Sequence, residues 1–219
     1  MNILVQTVKY RLIQLFAFIV LCTLNIEKSN GQEYYSYFRY RDGLTLSWSD
    51  FEGEIDFESK GTAACAVAIN YEILKSEKHV VIDVGAYFSP TESWVRVRSD
   101  EGLIHESYHF KLAEIPRRMM LEELYRIDID LDYIEELMAD RMRNFGSFHD
   151  GQQEKYDRET SHGVYADKQT EYEEYIDEWL SDLHDYRFKY LVLKLSDDGK
   201  TIESRELIDE LPNGVKSIK

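Results

Sequence analysis

The chain has 219 residues, with 26 Lys and Arg against 42 Asp and Glu and a formal net charge of −16. So acidic a surface repels nucleic acid and anionic lipid, which excludes both as partners and keeps the chain soluble. Of its two cysteines only Cys65 lies beyond the first 31 residues, so no internal disulfide can staple the remainder, and the fold must rest on its core, with a metal as the available aid.

Residues 1–31 read as a signal peptide. Lys9 and Arg11 form a basic start, Leu12–Leu24 is an apolar run too short for a comfortable membrane span, and Ser29 and Gly31 suit cleavage before Gln32. The alternative is an uncleaved N-terminal anchor. Cleavage removes Lys9, Arg11, Lys28 and Glu27, which leaves the chain more acidic still. The expectation is a secreted or periplasmic protein without a membrane span.

The remainder is long enough for one domain with its own core. "GLTLSWSDFEG" (residues 43–53) predicts a short strand closed by an Asp/Gly turn. Ala63, Cys65, Val67, Ile69, Tyr71 and Ile73 alternate on one face, as do Val80, Ile82, Val84, Ala86 and Phe88. With the polar "KSEKH" between them, these two runs predict an antiparallel hairpin, and "ESWVRVR" (92–98) a third strand. Helical patterns then take over. The first starts at a Ser99 or Asp100 cap and should end or kink at Pro116. A second, "LDYIEELMADRMRNFG", stops at Gly146, and a third covers 151–161 with Gly163 as its cap. The fourth, 167–188, carries a stripe of Tyr172, Tyr175, Ile176, Trp179 and Leu183 opposite its acids. The closing "YLVLKLSDDGKTIESREL" reads as a strand, an Asp-Gly turn and a strand. Strands first and helices after predict an α+β fold with an N-terminal antiparallel β-sheet and a helical half.

Chemistry concentrates in "LIHESYHFKLAEI" (103–115). His105 and His109 are one helical turn apart, so both imidazoles leave the same face and can reach one Zn²⁺ ion. Glu106 is turned aside, where it can serve as general base toward a water activated by the metal. Zinc needs a third ligand, and the extended motif HExxHxxGxxH is missing because positions 112 and 115 are Leu and Ile. "YDRETSHGVYADKQ" (156–169) offers His162 first, since imidazole needs no neutralising partner, with Glu159 and Asp157 as alternatives. Tyr165 and Tyr156 are candidate donors to the oxyanion of an acyl-transfer reaction. His79, His149 and His184 are expected to face solvent.

"LTLSWSDFEG", "ESWV", "HESYHFKLAEI" and "YDRETSHG…Q" occur in this order over roughly residues 43–185, and together they resemble a bacterial family of secreted zinc-dependent proteases, domain of unknown function 922. The resemblance implies a zincin-like metalloprotease domain over 32–189, with 190–219 a β-hairpin tail outside it. It carries over His105, Glu106 and His109, and it draws attention to the 156–163 block without choosing a ligand there. Ser107 stands where members often have Gln, at a variable position of the motif. The reaction implied is hydrolysis of peptide bonds in a peptide or protein substrate, or of a related amide. The competing reading is a secreted or envelope binding protein whose zinc site is structural or vestigial.

Overall fold

A computed structural model describes residues 37–215, so the expected signal segment at 1–31 lies outside the described residues. The two alternating runs form the hairpin β3 (Val67–Lys75) and β4 (His79–Phe88), paired antiparallel from Val67 opposite Phe88 to Lys75 opposite Val80. The other edge of β4 is shared by two strands. Its first half, His79–Asp83, pairs with β6 (Tyr190–Leu195), and its end, Tyr87 and Phe88, pairs with β1 (Phe38–Arg39). β7 (Ile202–Ile208) follows β6 through the expected Asp-Gly turn and completes a five-stranded sheet. The hairpin at 190–208 therefore belongs to the central sheet, because Leu191 and Leu193 extend the apolar face that Ile82 and Val80 begin.

That face carries the main core. Val80, Ile82, Val84, Leu191 and Leu193 pack against Met120, Leu121, Leu124, Ile134 and Met138 of the helices. The opposite face is also covered, since Leu74, Val81 and Val192 meet Val215. Burying the large aliphatic side chains stabilises by roughly 1.5–3 kcal/mol apiece. The protein is α+β, with antiparallel sheets and three α-helices among the described residues. No helix among the described residues is long and apolar enough to cross a membrane.

Several elements depart from the sequence pattern. Residues 43–53 form no strand; Trp48–Asp50 is a short 3₁₀ turn in which the Ser47 amide donates to the Asp50 carboxylate at 2.7 Å. The alternation there reflects core anchoring, because Leu46 and Phe51 are buried with Phe88 and Phe110. The first long strand is broken at Cys65–Ala66. Its start, β2 (Ala63–Ala64), pairs with β5, which is only Trp94–Val95. The Ser93 hydroxyl accepts from the Ala66 amide at 2.9 Å, diverting the backbone out of the ladder.

The first helix, α1 (Asp100–Arg126), is capped by the Ser99 hydroxyl accepting from the Gly102 amide at 2.9 Å, and it does not end at Pro116. Proline removes one hydrogen bond of the helix, but the groups around it are committed to helical geometry. Glu114 is buried and receives the guanidinium groups of Arg117 and Arg118 one turn on. Arg118 also donates to the Leu180 carbonyl at 2.9 Å, and Arg117 to that of Phe188 at 2.7 Å. The second and third predicted helices are a single helix, α2 (Ile134–Thr160), which runs through Gly146 and Gly151. Each glycine costs about 1 kcal/mol relative to alanine, which the burial of Ile134, Met138 and Tyr156 outweighs. His149, expected in a solvent-facing loop, is consequently a buried helical residue. The last helix, α3 (Ala166–Asp182), buries Tyr172, Ile176 and Leu180, while Tyr175 of the expected stripe is exposed.

Candidate metal centre

The centre is built where α1 crosses the end of α2. One turn of α1 sends His105 and His109 from the same face, and α2 presents Tyr156 and Asp157 to them one turn before its end. Asp157 Oδ1 is 3.1 Å from His105 Nε2 and 3.0 Å from His109 Nε2, and the two Nε2 atoms are 3.2 Å apart. Donor atoms around a tetrahedral metal with bonds of about 2.0–2.1 Å stand roughly 3.3–3.4 Å apart. A zinc ion would need only a slight widening of this triangle, and two imidazoles with a carboxylate are a donor set that suits it.

His162 reaches the same atom from outside, with Nδ1 3.3 Å from Asp157 Oδ1. His105, Asp157 and His162 each offer one ligand atom, all within 4.8 Å of one another. The His162 side chain is 68% exposed and stands in a left-handed turn beyond the helix, with φ of 53° at Ser161 and 54° at His162. Glu159 is engaged elsewhere: its carboxylate accepts from the Tyr172 hydroxyl at 2.7 Å. Of the three expected third ligands, Asp157 thus sits at the centre, His162 at its rim, and Glu159 apart.

The electrostatics follow from this packing. Burial alone would raise the Asp157 carboxyl, but hydrogen bonds from His105 and His109 and the charges of His109 and His162 hold it well below the carboxylate range. Burial would lower His109, yet the hydrogen bond and charge of Asp157, with Glu106, raise it above an ordinary imidazole. Glu106 is 7% exposed. Burial raises its carboxyl, His109 and His105 oppose that, Asp157 adds to it, and the Cys65 backbone amide donates a hydrogen bond that favours the ionised form. The break between β2 and β3 thus has a consequence at the site, since it frees the Cys65 amide for Glu106. The Cys65 thiol is pushed well up by burial and by Glu106, which keeps it protonated.

Two glutamines orient the imidazoles. Gln169, in the first turn of α3, places Oε1 3.1 Å from His105 Nδ1, and Gln153 on α2 places Oε1 on His109 Nδ1. An acceptor on Nδ1 keeps a proton there, so Nε2, which donates to Asp157 in the metal-free site, is the atom a metal would take, as with the outer partners of metal-binding histidines. Neither glutamine stands out in the sequence by residue type. Gln169 closes the "YDRETSHG…Q" block, and the signal for Gln153 is spacing, because His149, Gln153 and Asp157 recur every four residues and share a helix face.

Tyr156 is not placed as an oxyanion donor. Its ring stacks on His105 at 4.7 Å, and its hydroxyl lies on the backbone side, 3.3 Å from the His105 carbonyl and 2.7 Å from Gln169 Nε2. Tyr165 precedes α3 with an exposed side chain. Gly163 closes the turn beneath His105. It has φ of +79°, and a Cβ there would lie 3.0 Å from His105 Cβ. Gly163→Ala is expected to lower stability by about 1–3 kcal/mol through left-handed strain and to displace His105. Urea unfolding checks the first effect and zinc affinity the second; unchanged values in both would show that the turn does not brace the site.

Comparison with protein-family models, curated proteins and solved structures gave no match. The resemblance to secreted zinc-dependent proteases therefore rests on the motifs quoted above.

Proposed function

We propose that the protein is a zinc-dependent hydrolase, and within that class a secreted metallopeptidase. One observation carries the reading: the Nε2 atoms of His105 and His109 and Oδ1 of Asp157 converge to 3.0–3.2 Å, with a buried carboxylate, Glu106, beside them. Two imidazoles and a carboxylate converging on one point suit a divalent cation. When bound, zinc supplies Lewis acidity that activates water and polarises a carbonyl.

The chain's own residues do the rest. His105, His109 and Asp157 would hold the metal, and Gln169 and Gln153, at Nδ1 of the two rings, would leave Nε2 as the ligating atom. Glu106 takes the proton of the attacking water and returns it to the leaving amine, a role that suits a carboxyl raised by burial. Cys65 positions the Glu106 carboxylate through its amide. Export through residues 1–31 would bring this chemistry to substrates outside the cytoplasm.

The test is hydrolysis of an unfolded protein by purified protein, stripped with a chelator and reloaded. The expected result is loss of cleavage on stripping and recovery with about one equivalent of zinc. Cleavage that survives complete stripping would overturn the reading.

A further inference from the structure

Gln153 uses both ends of its side-chain amide. Its Oε1 meets His109 Nδ1, while its Nε2 donates at 3.0 Å to the His109 carbonyl and lies 3.0 Å from His149 Nε2. His149 is 7% exposed, and its Nδ1 is 3.0 Å from Oδ1 of Asp150, a carboxylate that faces water. None of this is required to hold a metal, and yet each bond admits only one polarity.

An amide can enter such a site either way round. Flipped, Gln153 would offer N–H to His109 Nδ1, and the ring would have to carry its proton on Nε2, the atom that faces Asp157 and His105. Two acceptors oppose the flip. The His109 carbonyl can only accept, and His149 Nε2 can only accept while the proton of that ring sits on Nδ1. The ionised Asp150 carboxylate, itself only an acceptor, secures the proton there. We infer that Asp150 and His149 are positioning residues that act through Gln153 as an orientation lock, holding its amide so that Oε1 accepts from His109 Nδ1 and Nε2 remains the His109 atom a metal would take. The inference rests on the metal-site reading above.

Two measurements test it. The first is zinc affinity, by competition with a chromophoric chelator, for the unsubstituted protein, His149→Phe, Gln153→Ala and the double variant. Phe keeps a ring but cannot accept, so His149→Phe should weaken zinc by about threefold or more, short of the roughly 10–100-fold typical of a partner bonded directly to a ligand. Alanine at 153 leaves no amide to orient. In the Gln153→Ala background, His149→Phe should therefore have no further effect. An equal loss in both backgrounds would mean that His149 only packs, and no loss in either would remove it from the site. The second is the orientation of the Gln153 side-chain amide in metal-free protein, read by NMR contacts of its N–H protons with the ring protons at 109 and 149. The expected amide nitrogen faces the 149 ring, and in His149→Phe a mixture of the two orientations. Identical orientations in the two proteins would overturn the lock. Should the unsubstituted protein bind no zinc, the metal-site reading fails on the first measurement, while the second still decides the lock.

Discussion

Glu106→Gln is expected to keep its zinc and lose its hydrolysis. Glutamine preserves the shape of the side chain and can still accept from the Cys65 amide, which faces the native carboxylate. Both histidines and Asp157 are untouched, so metal content and unfolding midpoint should match those of the unsubstituted protein. Replacing a buried carboxylate by a neutral amide also removes a desolvation cost, which argues against a loss of stability. What glutamine cannot do is take a proton from the attacking water. Loss of a positioned general base lowers turnover by roughly 10²–10⁴-fold. Steady-state cleavage by zinc-loaded protein measures this. Undiminished hydrolysis would remove Glu106 from its role and the proposed mechanism with it.

The second large effect is expected at Asp157. Structural zinc binding of about 10–16 kcal/mol shared among four ligands gives roughly 2.5–4 kcal/mol for each. Asp157→Ala should thus weaken zinc by about 10²–10³-fold, and it also leaves His105 and His109 without the carboxylate that both contact. His162→Ala should cost much less, because its side chain is largely exposed and reaches the cluster from its rim, with Nδ1 3.3 Å from Asp157 Oδ1. Glu159→Ala should leave affinity unchanged, since that carboxylate is bonded to Tyr172. Chelator competition on the three variants ranks them. Were His162→Ala the most damaging and Asp157→Ala silent, the ligand set would be the two α1 histidines with His162.

The legible part of the site was the part encoded in one helical turn. His105, Glu106 and His109 are fixed relative to one another by the 3.6-residue period, whatever surrounds them. Asp157 was harder to rank because its position depends on where α2 begins and ends. The pattern stops one helix at Gly146 and starts the next at 151, which leaves His149 in a loop, off the face that carries Gln153, Tyr156 and Asp157. The core contacts of Met138 and Tyr156 hold the helix intact across Gly146 and Gly151. Local propensity likewise gave Pro116 too much weight and could not foresee the buried Glu114–Arg117–Arg118 cluster that follows it. The β3–β4 hairpin was legible because its alternation and its turn agree. The interruption at Cys65–Ala66 was not, because it is imposed by Ser93 from a distant segment.

Anomalous diffraction at the zinc edge, from crystals of zinc-loaded protein, tests the central claim most directly. The account predicts one strong peak per chain, about 2.0–2.2 Å from His105 Nε2, His109 Nε2 and Asp157 Oδ1, with Glu106 beside it but not bonded to it. A peak at any other set of side chains, or none in protein that has taken up zinc, would contradict it.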